Sequence, residues 1–518
     1  MKLTRRAALA AAAIPLAGCG PREEITGGFN GIGHERGHLL RQPRSGAGPA
    51  TTRRTQVVIA GGGIAGLAAA RALRQRGVED FVLLELEDIA GGNSRGTTIA
   101  GIACPMGAHY LPVPGDDAPQ VQALLEEFGL RRRVAGRWEY DERHLCHSPQ
   151  ERLFFNGQWQ DGLLPLQEVG AATLAQYRKF GGLVTQAQKA ARFTIPLAKM
   201  PAARIHRSFD ATTFAAWLDQ QGLTDPHLRW YLDYCCRDDY GAGLATVSAW
   251  AGIHYFASRH GFHLPGDGPE RDAVLTWPEG NAWLARRLAA PLADRLRSGR
   301  VVTRIASADK GVEVDAFNVA TQSVERWQAA SCIVALPVFI AARVVENPPA
   351  LLQAAALRTR YAPWLVGNVH LREPLADKPG PAPAWDNVLY GTRGLGYVDA
   401  RHQSLDPTPG PTVLTWYRPL GDEARARQRL LDAPWQSWRD ELLRELSVPH
   451  PDVASRATRM EFTRYGHAMA IPVPGNLADW AGPQALRSGR LAFAHSDWAG
   501  YSIFEEAFTL GHEAGKAI

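Results

Sequence analysis

The first clear pattern of hydrophobic and polar positions lies between residues 56 and 95. Gln56–Ala60 is a short apolar run rich in β-branched residues, which is typical of a buried parallel strand. A glycine-rich turn follows it, and then an alanine-rich stretch of high helix propensity from Ile64 to about Arg76. Phe81–Leu84 is a second apolar run. The order predicts a strand, a turn, a helix and a second strand.

The turn between these elements has the spacing of a dinucleotide-binding loop. Gly61, Gly63 and Gly66 follow G-x-G-x-x-G, which allows a tight turn, close approach of a pyrophosphate, and close packing of helix on strand. The predicted helix begins at Ile64. The free N–H groups of its first residues, Ile64 and Ala65, and the positive end of its dipole would therefore point at the phosphates of a bound dinucleotide.

A carboxylate ends the second predicted strand. Glu85 lies about 20 residues beyond the glycines, where an acid accepts hydrogen bonds from a ribose. The chain holds 51 glycines, so the spacing alone could arise by chance. The surrounding strand–turn–helix–strand pattern is what makes the motif specific, and it predicts a dinucleotide site.

Periodicity along the rest of the chain predicts alternating kinds of structure. Helices are expected over 117–134, 282–297, 421–446 and 504–516, with a mainly helical region over 166–262. Short strands are expected over 301–305, 312–317, 333–335, 458–464 and 490–494, and an antiparallel sheet over 363–419. Asn156-Gly157 fits the type I′ turn of a hairpin.

The N-terminal residues 1–19 read as a targeting segment rather than as part of the fold. Arg5-Arg6 precedes an apolar run, and Leu16-Ala17-Gly18-Cys19 resembles a bacterial lipobox. These features predict a twin-arginine signal peptide, lipidation of Cys19, and a periplasmic or extracytoplasmic protein anchored by lipid to a bacterial membrane. The alternative is an ordinary secretory signal with a chance cysteine. No later run has about 18 apolar residues, so no other membrane span is expected.

Composition changes this picture little. The net charge is 57 − 52 = +5 and is dispersed, so nucleic acid is not expected as a partner. Cys235-Cys236 could form a strained disulfide or two buried thiols, and buried thiols are the prediction. His144, Cys146 and His147 lack further ligands at zinc spacing, so a loop is predicted and no metal site.

The ordered motifs resemble those of the flavin-containing amine oxidase superfamily, which also includes phytoene desaturases and protoporphyrinogen oxidases. The resemblance covers nearly the whole mature chain. The segments that carry it are Gly61–Leu67 with Leu84-Glu85, Gly91–Ser94, Gly107–Tyr110, Trp277–Asn281, Val301–Ile305, Val334–Pro337, and Phe493–Asp497 with Glu505–Ala507.

This resemblance implies FAD as the cofactor and assigns candidate residues. The implied cofactor-binding residues are Gly61, Gly63, Ile64, Ala65, Gly66, Glu85, Gly92, Asn93, Val302, Asp497, Glu506 and Ala507. The candidate catalytic residues are His109 and His467. Trp364, Trp416 and Tyr465 are the candidate substrate pocket, and the alternative for each is a place in the hydrophobic core.

Three departures from the family pattern matter. Asn93 stands where an arginine is usual, Asp497 lies in a longer version of the F-A-G-[DE] element, and Leu365–His370 lacks the lysine that bridges to flavin N5 in several amine oxidases. The prediction is an FAD-dependent oxidoreductase that transfers hydride from a small substrate, an amine or polyamine, to flavin, with O2 or another electron acceptor. Asp238 and Asp239 could bind a polyamine or form a solvated helix end.

Two other functions stay open. One is an FAD-dependent desaturase or isomerase that acts on a non-amine substrate. The other is a flavoprotein lipoprotein that transfers electrons to a partner.

The predicted fold class is α/β, with a Rossmann-like FAD-binding domain interleaved with a mixed α+β substrate domain that carries an antiparallel sheet. The FAD-binding domain takes residues 55–115, 265–345 and 485–518. The substrate domain takes residues 116–264, mainly helical, and 346–484. Residues 1–19 are the signal peptide with its lipobox, and 20–54 are a tether.

Overall fold

The structure is a computed structural model, and it describes residues 24–41, 48–264, 273–406, 408–477, 482 and 486–518. The predicted signal peptide and Cys19 lie outside the described residues. The strands, in chain order, are β1 (Thr26–Phe29), β2 (Thr51–Ala60), β3 (Phe81–Leu84), β4 (Gly96–Ile99), β5 (Ile102–Pro105), β6 (Tyr110–Pro112), β7 (Arg131–Val134), β8 (Arg137–Tyr140), β9 (Glu151–Phe155), β10 (Gln158–Asp161), β11 (Val274–Thr276), β12 (Leu296–Arg297), β13 (Arg300–Ala308), β14 (Gly311–Asn318), β15 (Ser323–Val334), β16 (Arg360–Leu371), β17 (Asp386–Leu389), β18 (Tyr397–Asp399), β19 (Thr412–Pro419), β20 (Ala457–Ile471), β21 (Arg487–Ser488) and β22 (Leu491–Phe493).

Helices connect and cover these strands. They are α1 (His34–His38), α2 (Ile64–Gln75), α3 (Pro119–Glu127), α4 (Ala171–Ala190), α5 (Arg204–Phe209), α6 (Phe214–Gln220), α7 (Pro226–Tyr240), α8 (Ala249–Ala257), α9 (Ala282–Ala289), α10 (Val338–Val344), α11 (Ala350–Arg358), α12 (Ala426–Asp432), α13 (Trp435–Leu446), α14 (Val453–Arg456) and α15 (Phe504–Ala517).

The first large sheet is the nucleotide sheet, with the strand order β12-β3-β2-β15-β14-β13. Strands β12, β3, β2 and β15 are parallel, and β22 adds to β15, also in parallel. Strands β14 and β13 continue the sheet in antiparallel pairing. One face is covered by α2, α9 and α15, and the other by α10 and α11. Both faces are therefore buried, as near-continuous apolar parallel strands require.

The second large sheet is the substrate sheet, with the order β1-β20-β16-β19-β18-β17-β9-β10. Most neighbours are antiparallel, as expected for residues 363–419, whereas β1–β20 and β17–β9 are parallel. The helices of residues 171–257 cover one face, and α12–α14 cover the other. The predicted fold class, an α/β nucleotide domain interleaved with a mixed substrate domain, is confirmed.

Two predicted helices differ from the structure. The helix over 117–134 ends at Glu127, because Gly129 takes a φ of +71° and a β-hairpin of β7 and β8 follows. The helix over 421–446 is two helices that meet at Pro434, whose ring cannot continue the first. In the described part of the predicted tether over 20–54, β1 pairs with β20 and β2 begins at Thr51.

The cysteines and the predicted hairpin agree with expectation. Cys235 and Cys236 are buried free thiols rather than a vicinal disulfide. Asn156 and Gly157 both have positive φ, at +50° and +80°, which is the conformation of a type I′ turn between β9 and β10.

Candidate active site

The predicted dinucleotide loop lies between β2 and α2, at the carboxyl end of the parallel strands. A Cβ at Gly61, where φ is +105°, would lie 2.3 Å from the carbonyl oxygen of Ala335. A Cβ at Gly66 would lie 1.9 Å from the carbonyl oxygen of Gly61, so that glycine allows α2 to approach the turn. Neither contact needs a ligand to explain it.

Gly63 is different, because the protein leaves open space beside it. A Cβ there would meet only the Cα of Gly92, at 3.9 Å. Gly63 also precedes the first turn of α2, so the N–H groups of Ile64 and Ala65 lie at a helix N-terminus with no intrahelical acceptor. Free space next to donors that the helix itself leaves without an acceptor is what a pyrophosphate requires, so these residues fit FAD.

Glu85 lies directly after β3 and is buried. Its two carboxylate oxygens accept hydrogen bonds from the backbone N–H groups of Gly62 and Glu87, both at 2.8 Å. Burial raises the pKa of the Glu85 carboxyl, against the lowering effect of these two bonds and of nearby Arg95. The side chain is thus fixed beside the glycine loop, in the place from which an acid binds a ribose.

The second glycine pair lies against the first loop. The N–H of Gly91 donates to the carbonyl of Gly62 at 2.8 Å, and Gly92 has a φ of +58°. The Asn93 side chain donates to the carbonyl of Ala468 at 2.7 Å, so it links this loop to β20. The position where an arginine is usual therefore serves an interdomain contact here.

Arg95 is a site residue that motif reasoning missed. It is buried, its Nε donates to the carbonyl of Gly92 at 3.1 Å, and one terminal nitrogen lies 3.6 Å from the Glu87 carboxylate. It supplies positive charge beside the glycine pair two positions after Asn93. The signal available in the sequence was an arginine shifted within a short, otherwise regular motif.

Two further cofactor candidates are Val302, on the nucleotide sheet, and Asp497, which follows β22 of that sheet. Val302 is buried on β13, where the pairing with β14 is interrupted by a bulge between Val302 and Arg304. Asp497 is buried, and one of its oxygens accepts from the N–H of Val338 at 3.0 Å and from the Tyr361 hydroxyl at 2.7 Å. Burial acts to raise the pKa of Asp497, but His495 and these donors lower it overall, so it stays ionised.

The N-terminus of α15 carries Glu506 and Ala507. Glu506 is fully buried, and one oxygen accepts from the N–H of Leu197 and from the Tyr501 hydroxyl, while the other has no partner among the described residues. Burial raises its pKa to about 8. One oxygen of Glu506 is thus held by Leu197 and Tyr501, while the N–H of Ala507 donates to the carbonyl of Ile503 at 3.3 Å.

His109 lies in a group of aromatic rings. Its imidazole stacks on Tyr417 with centroids 4.4 Å apart, and it contacts Tyr110 at 5.0 Å and Trp385 at 5.3 Å. Burial lowers the pKa of His109 to about 3, so the ring is neutral at physiological pH. The Tyr417 hydroxyl donates to the carbonyl of Gly107 at 2.9 Å, which fixes this wall against the segment before His109.

The three pocket candidates divide between the two faces of the substrate sheet. Tyr465 and Trp364 are buried on the face that the helices of residues 171–257 cover. The Tyr465 hydroxyl donates to the carbonyl of Met106 at 2.7 Å. Trp416 was wrongly assigned. It lies on the opposite face, where its Nε1 donates to Glu445 at 3.0 Å. Because side chains alternate along a strand, its neighbour Tyr417 faces His109 instead.

His467 is not brought to His109. Its ring stacks on Phe339 at 4.3 Å and meets Tyr361 at 5.6 Å, and Tyr361 in turn bonds to Asp497. Burial lowers the pKa of His467 to about 4. The two candidate histidines thus belong to separate groups of rings, with His467 on the side of Asp497.

Carboxyl groups lie beside the His109 rings. The largest effect on Tyr110 is the charge of Asp238, which with burial raises the pKa of the phenol. Burial and the neighbouring Asp239 raise the pKa of Asp238 to about 7. Asp239 itself is paired with Arg259 at 3.1 Å.

Asp386, next to Trp385 in sequence, belongs to the same group. Burial, and then the charges of Asp238 and Glu151, raise the pKa of Asp386, and Tyr234 donates a hydrogen bond to it. Asp238 is half-buried on α7, and its charge acts on Tyr110 beside the aromatic rings.

The nucleotide sheet, the open glycine loop and the interleaved substrate sheet define a flavin-dependent oxidoreductase of the two-domain class. Residues 64–518 match the sequence profile of the flavin containing amine oxidoreductase family, and the chain belongs to that family. Its cofactor is accordingly FAD.

Known proteins resemble this chain over most of its length. An L-amino acid dehydrogenase from Synechocystis sp. is 25% identical over 489 residues, covering 89% of this chain and 94% of its own. The structure of a putrescine oxidase bound to putrescine has a TM-score of 0.67 at 17% identity, covering 90% of this chain and 99% of its own. A fatty acid isomerase from P. acnes that produces CLA has a TM-score of 0.62 at 15% identity, covering 90% and 98%. These two structures share the fold.

Among the residues described, no helix combines the length and the apolar character that crossing a bilayer requires.

Proposed function

We propose that this enzyme oxidises an amine that binds as a cation, with hydride transfer from the carbon next to nitrogen. The observation that carries this proposal is the junction of two kinds of wall. The neutral rings of His109, Tyr417 and Trp385 form one wall, and the charges of Asp238 and Asp386 act on Tyr417 in that wall and on its neighbour Tyr110. Aromatic faces and carboxylates both attract ammonium groups.

Each side of this pocket has a separate task. FAD, when bound, supplies the hydride acceptor. Asp238 and Asp386 attract the cation, and binding a positive charge between them stabilises their ionised forms, which burial otherwise opposes. His109 is uncharged, so it does not repel the substrate, and its stacking on Tyr417 holds a flat wall that orients the substrate and excludes water.

The amine class also agrees with the family and with two relatives. The L-amino acid dehydrogenase and the putrescine oxidase are named for substrates that carry an amine. For this chain, the charge of the pocket is the stronger support, because it comes from its own residues.

A substrate panel tests the proposal. Purified enzyme is given a monoamine, a diamine, an L-amino acid and an unsaturated fatty acid, with peroxide and an acceptor dye as readouts. We expect turnover with at least one amine, and an increase in its KM of about tenfold or more in Asp386→Asn, with a smaller change in kcat. Asp440→Asn, an exposed aspartate paired with Arg439 on α13, is the control. Oxidation of no amine, or an unchanged KM in Asp386→Asn, would contradict the proposal.

A second candidate is an FAD-dependent desaturase or isomerase with a non-amine substrate. One observation favours it. Strand β16, on the wall that resembles the flavin-facing wall of the family, contains no lysine. Its Asn368 amide donates to the Pro105 carbonyl at 3.0 Å and accepts from the Thr415 hydroxyl at 2.7 Å. Conversion of the fatty acid, with no flavin reduction by amines, would favour this candidate.

We also propose that the protein is exported and held by lipid at Cys19, as the lipobox predicts. The position of β1 supports a short connection, since only six residues lie between Cys19 and Thr26, and seven extended steps along the chain span about 25 Å. Fractionation of cells that express wild type or Cys19→Ala tests it. We expect wild type in membranes and the variant released; both variants in the cytoplasm with uncut N-termini would refute the proposal. The electron acceptor needs a separate assay, in which the rate of substrate oxidation by the purified enzyme is compared with O2 and with acceptor dyes.

A further inference from the structure

The N-terminal segment of residues 30–41, called the bracket here, runs from β1 across the nucleotide domain. Asn30 begins it on the substrate sheet, where its N–H donates to the carbonyl of Phe462 at 2.9 Å. Near its end, the Arg343 Nε donates to the carbonyl of Leu40 at 2.6 Å. The bracket is therefore attached to both domains.

Between these ends, the bracket holds the three residues that follow Glu85. The N–H of Gly33 donates to the Glu87 carboxylate at 3.2 Å. Arg36 donates to the carbonyl of Leu86 at 3.1 Å and makes two bonds to the Asp88 carboxylate, at 2.9 and 3.1 Å. Every residue from 86 to 88 thus has a partner in the bracket.

Glu87 connects the bracket to the two groups that lie at the FAD site. Its own N–H donates to Glu85 at 2.8 Å, and its carboxylate lies 3.6 Å from Arg95, which is bonded to Gly92. A shift of Glu87 would therefore move the ribose acceptor and the cation beside the glycine pair together.

The charges of the residues held by the bracket bear directly on FAD binding. Glu85, Glu87 and Asp88 place three carboxylates within four positions, near a site for a pyrophosphate of the same sign. Arg36 and Arg95 are the cations that offset them. Unless Glu87 and Asp88 are held and neutralised, their charges disfavour the cofactor.

We propose that the bracket is a cofactor-retention element, in which Gly33 and Arg36 act as positioning residues for FAD through Glu87 and Asp88. Binding of FAD and docking of the bracket then stabilise each other, because coupling between two equilibria is reciprocal. This inference depends on the FAD site and not on the proposed amine substrate.

The test measures FAD affinity and bracket docking rather than turnover. Apoprotein of the full chain is titrated with FAD, and the Kd is read from the quenching of flavin fluorescence. We expect Arg36→Ala to raise the Kd about 3- to 10-fold. Arg36→Lys should stay close to Arg36→Ala, because a lysine keeps the charge but cannot bond Asp88 twice and Leu86 at once.

The matched control is Arg456→Ala. Arg456, the last residue of α14, also pairs with two carboxylates, that of Glu373 on a separate segment and that of Asp452 one turn before it, on the substrate domain. We expect its Kd to equal that of wild type, even if its melting temperature falls. An Arg36→Ala Kd within twofold of wild type, or full recovery in Arg36→Lys, would overturn the proposal.

The reciprocal measurement uses trypsin. We expect FAD to slow cleavage after Arg36 and Arg41 several-fold in wild type, and to protect Arg36→Ala at Arg41 much less. Equal cleavage with and without FAD would refute the coupling. A protein that binds no flavin at all would instead refute the FAD site, so the two failures are distinguishable.

Discussion

Glu506 is expected to make the protein less stable as pH rises. Its carboxyl is fully buried, and burial raises its pKa from 4.5 to about 8. The folded state therefore binds a proton that the unfolded state releases, so the free energy of unfolding falls between the two pKa values as pH increases. Each pH unit in that window costs about 1.4 kcal/mol, which amounts to about 4 kcal/mol between pH 5 and 8.

Glu506→Gln removes this effect, because an amide does not ionise. The amide oxygen still accepts from Leu197 and Tyr501, and the amide nitrogen takes the place of an oxygen that has no described partner in wild type. The variant should consequently gain stability relative to wild type as pH rises, by about 1.4 kcal/mol per unit.

Urea unfolding at saturating FAD, at pH 5, 6, 7 and 8, measures this difference. Glu139→Gln, an exposed carboxyl on β8, is the control and should follow wild type. Parallel pH profiles for wild type and Glu506→Gln would show that Glu506 is not protonated in the folded protein, and the argument from burial would fail.

Four further outcomes are expected. Gly63→Val should abolish FAD binding, since its side chain fills the open space at the loop, whereas Gly115→Val, where a Cβ would have nothing within 4 Å, should bind normally; equal Kd values would refute the loop assignment. Glu85→Ala should raise the FAD Kd roughly 10- to 150-fold, from a charged hydrogen bond of about 1.5–3 kcal/mol, as titration of apoprotein would show. Acid precipitation should leave yellow flavin in the supernatant, because binding is non-covalent; a yellow pellet would contradict this. Tyr417→Leu should change the KM for substrate, whereas Trp416→Phe should change mainly the melting temperature; the reverse result would overturn the assignment of faces.

The sequence predicts the site best where the functional residues lie close together along the chain. The glycine loop, the helix after it and Glu85 lie within 30 residues, so their spacing within a strand–turn–helix–strand pattern predicted their arrangement, and the structure places them together. The fold class was predictable for the same reason, because strand and helix patterns alternate along the chain.

The face of a strand was not predictable in this way. Trp416 and Tyr417 are adjacent aromatic residues on a strand that is buried on both sides, so alternation of polar and apolar positions gave no sign of which one faces the helices. Only the register of β19 on β16, with Trp416 opposite Gly367, decides it.

Contacts between residues far apart in the sequence could not be predicted either. Strand β1 is a four-residue stretch with two glycines, and its pairing partner lies more than 400 residues away. Likewise, Arg95 and Glu87 are ordinary charged residues in sequence, and only the folded chain brings them beside the bracket.

The pairing of β1 also bears on how the protein behaves in concentrated solution. Strand β20 is 15 residues long, and β1 covers its outer edge from Arg459 to Phe462. An uncovered edge of a long strand offers unpaired N–H and C=O groups to any other chain, which is a route to aggregation. Chains shortened to begin at β2, where the dinucleotide motif starts, would leave that edge open, so we expect them to associate edge to edge even when their cores fold.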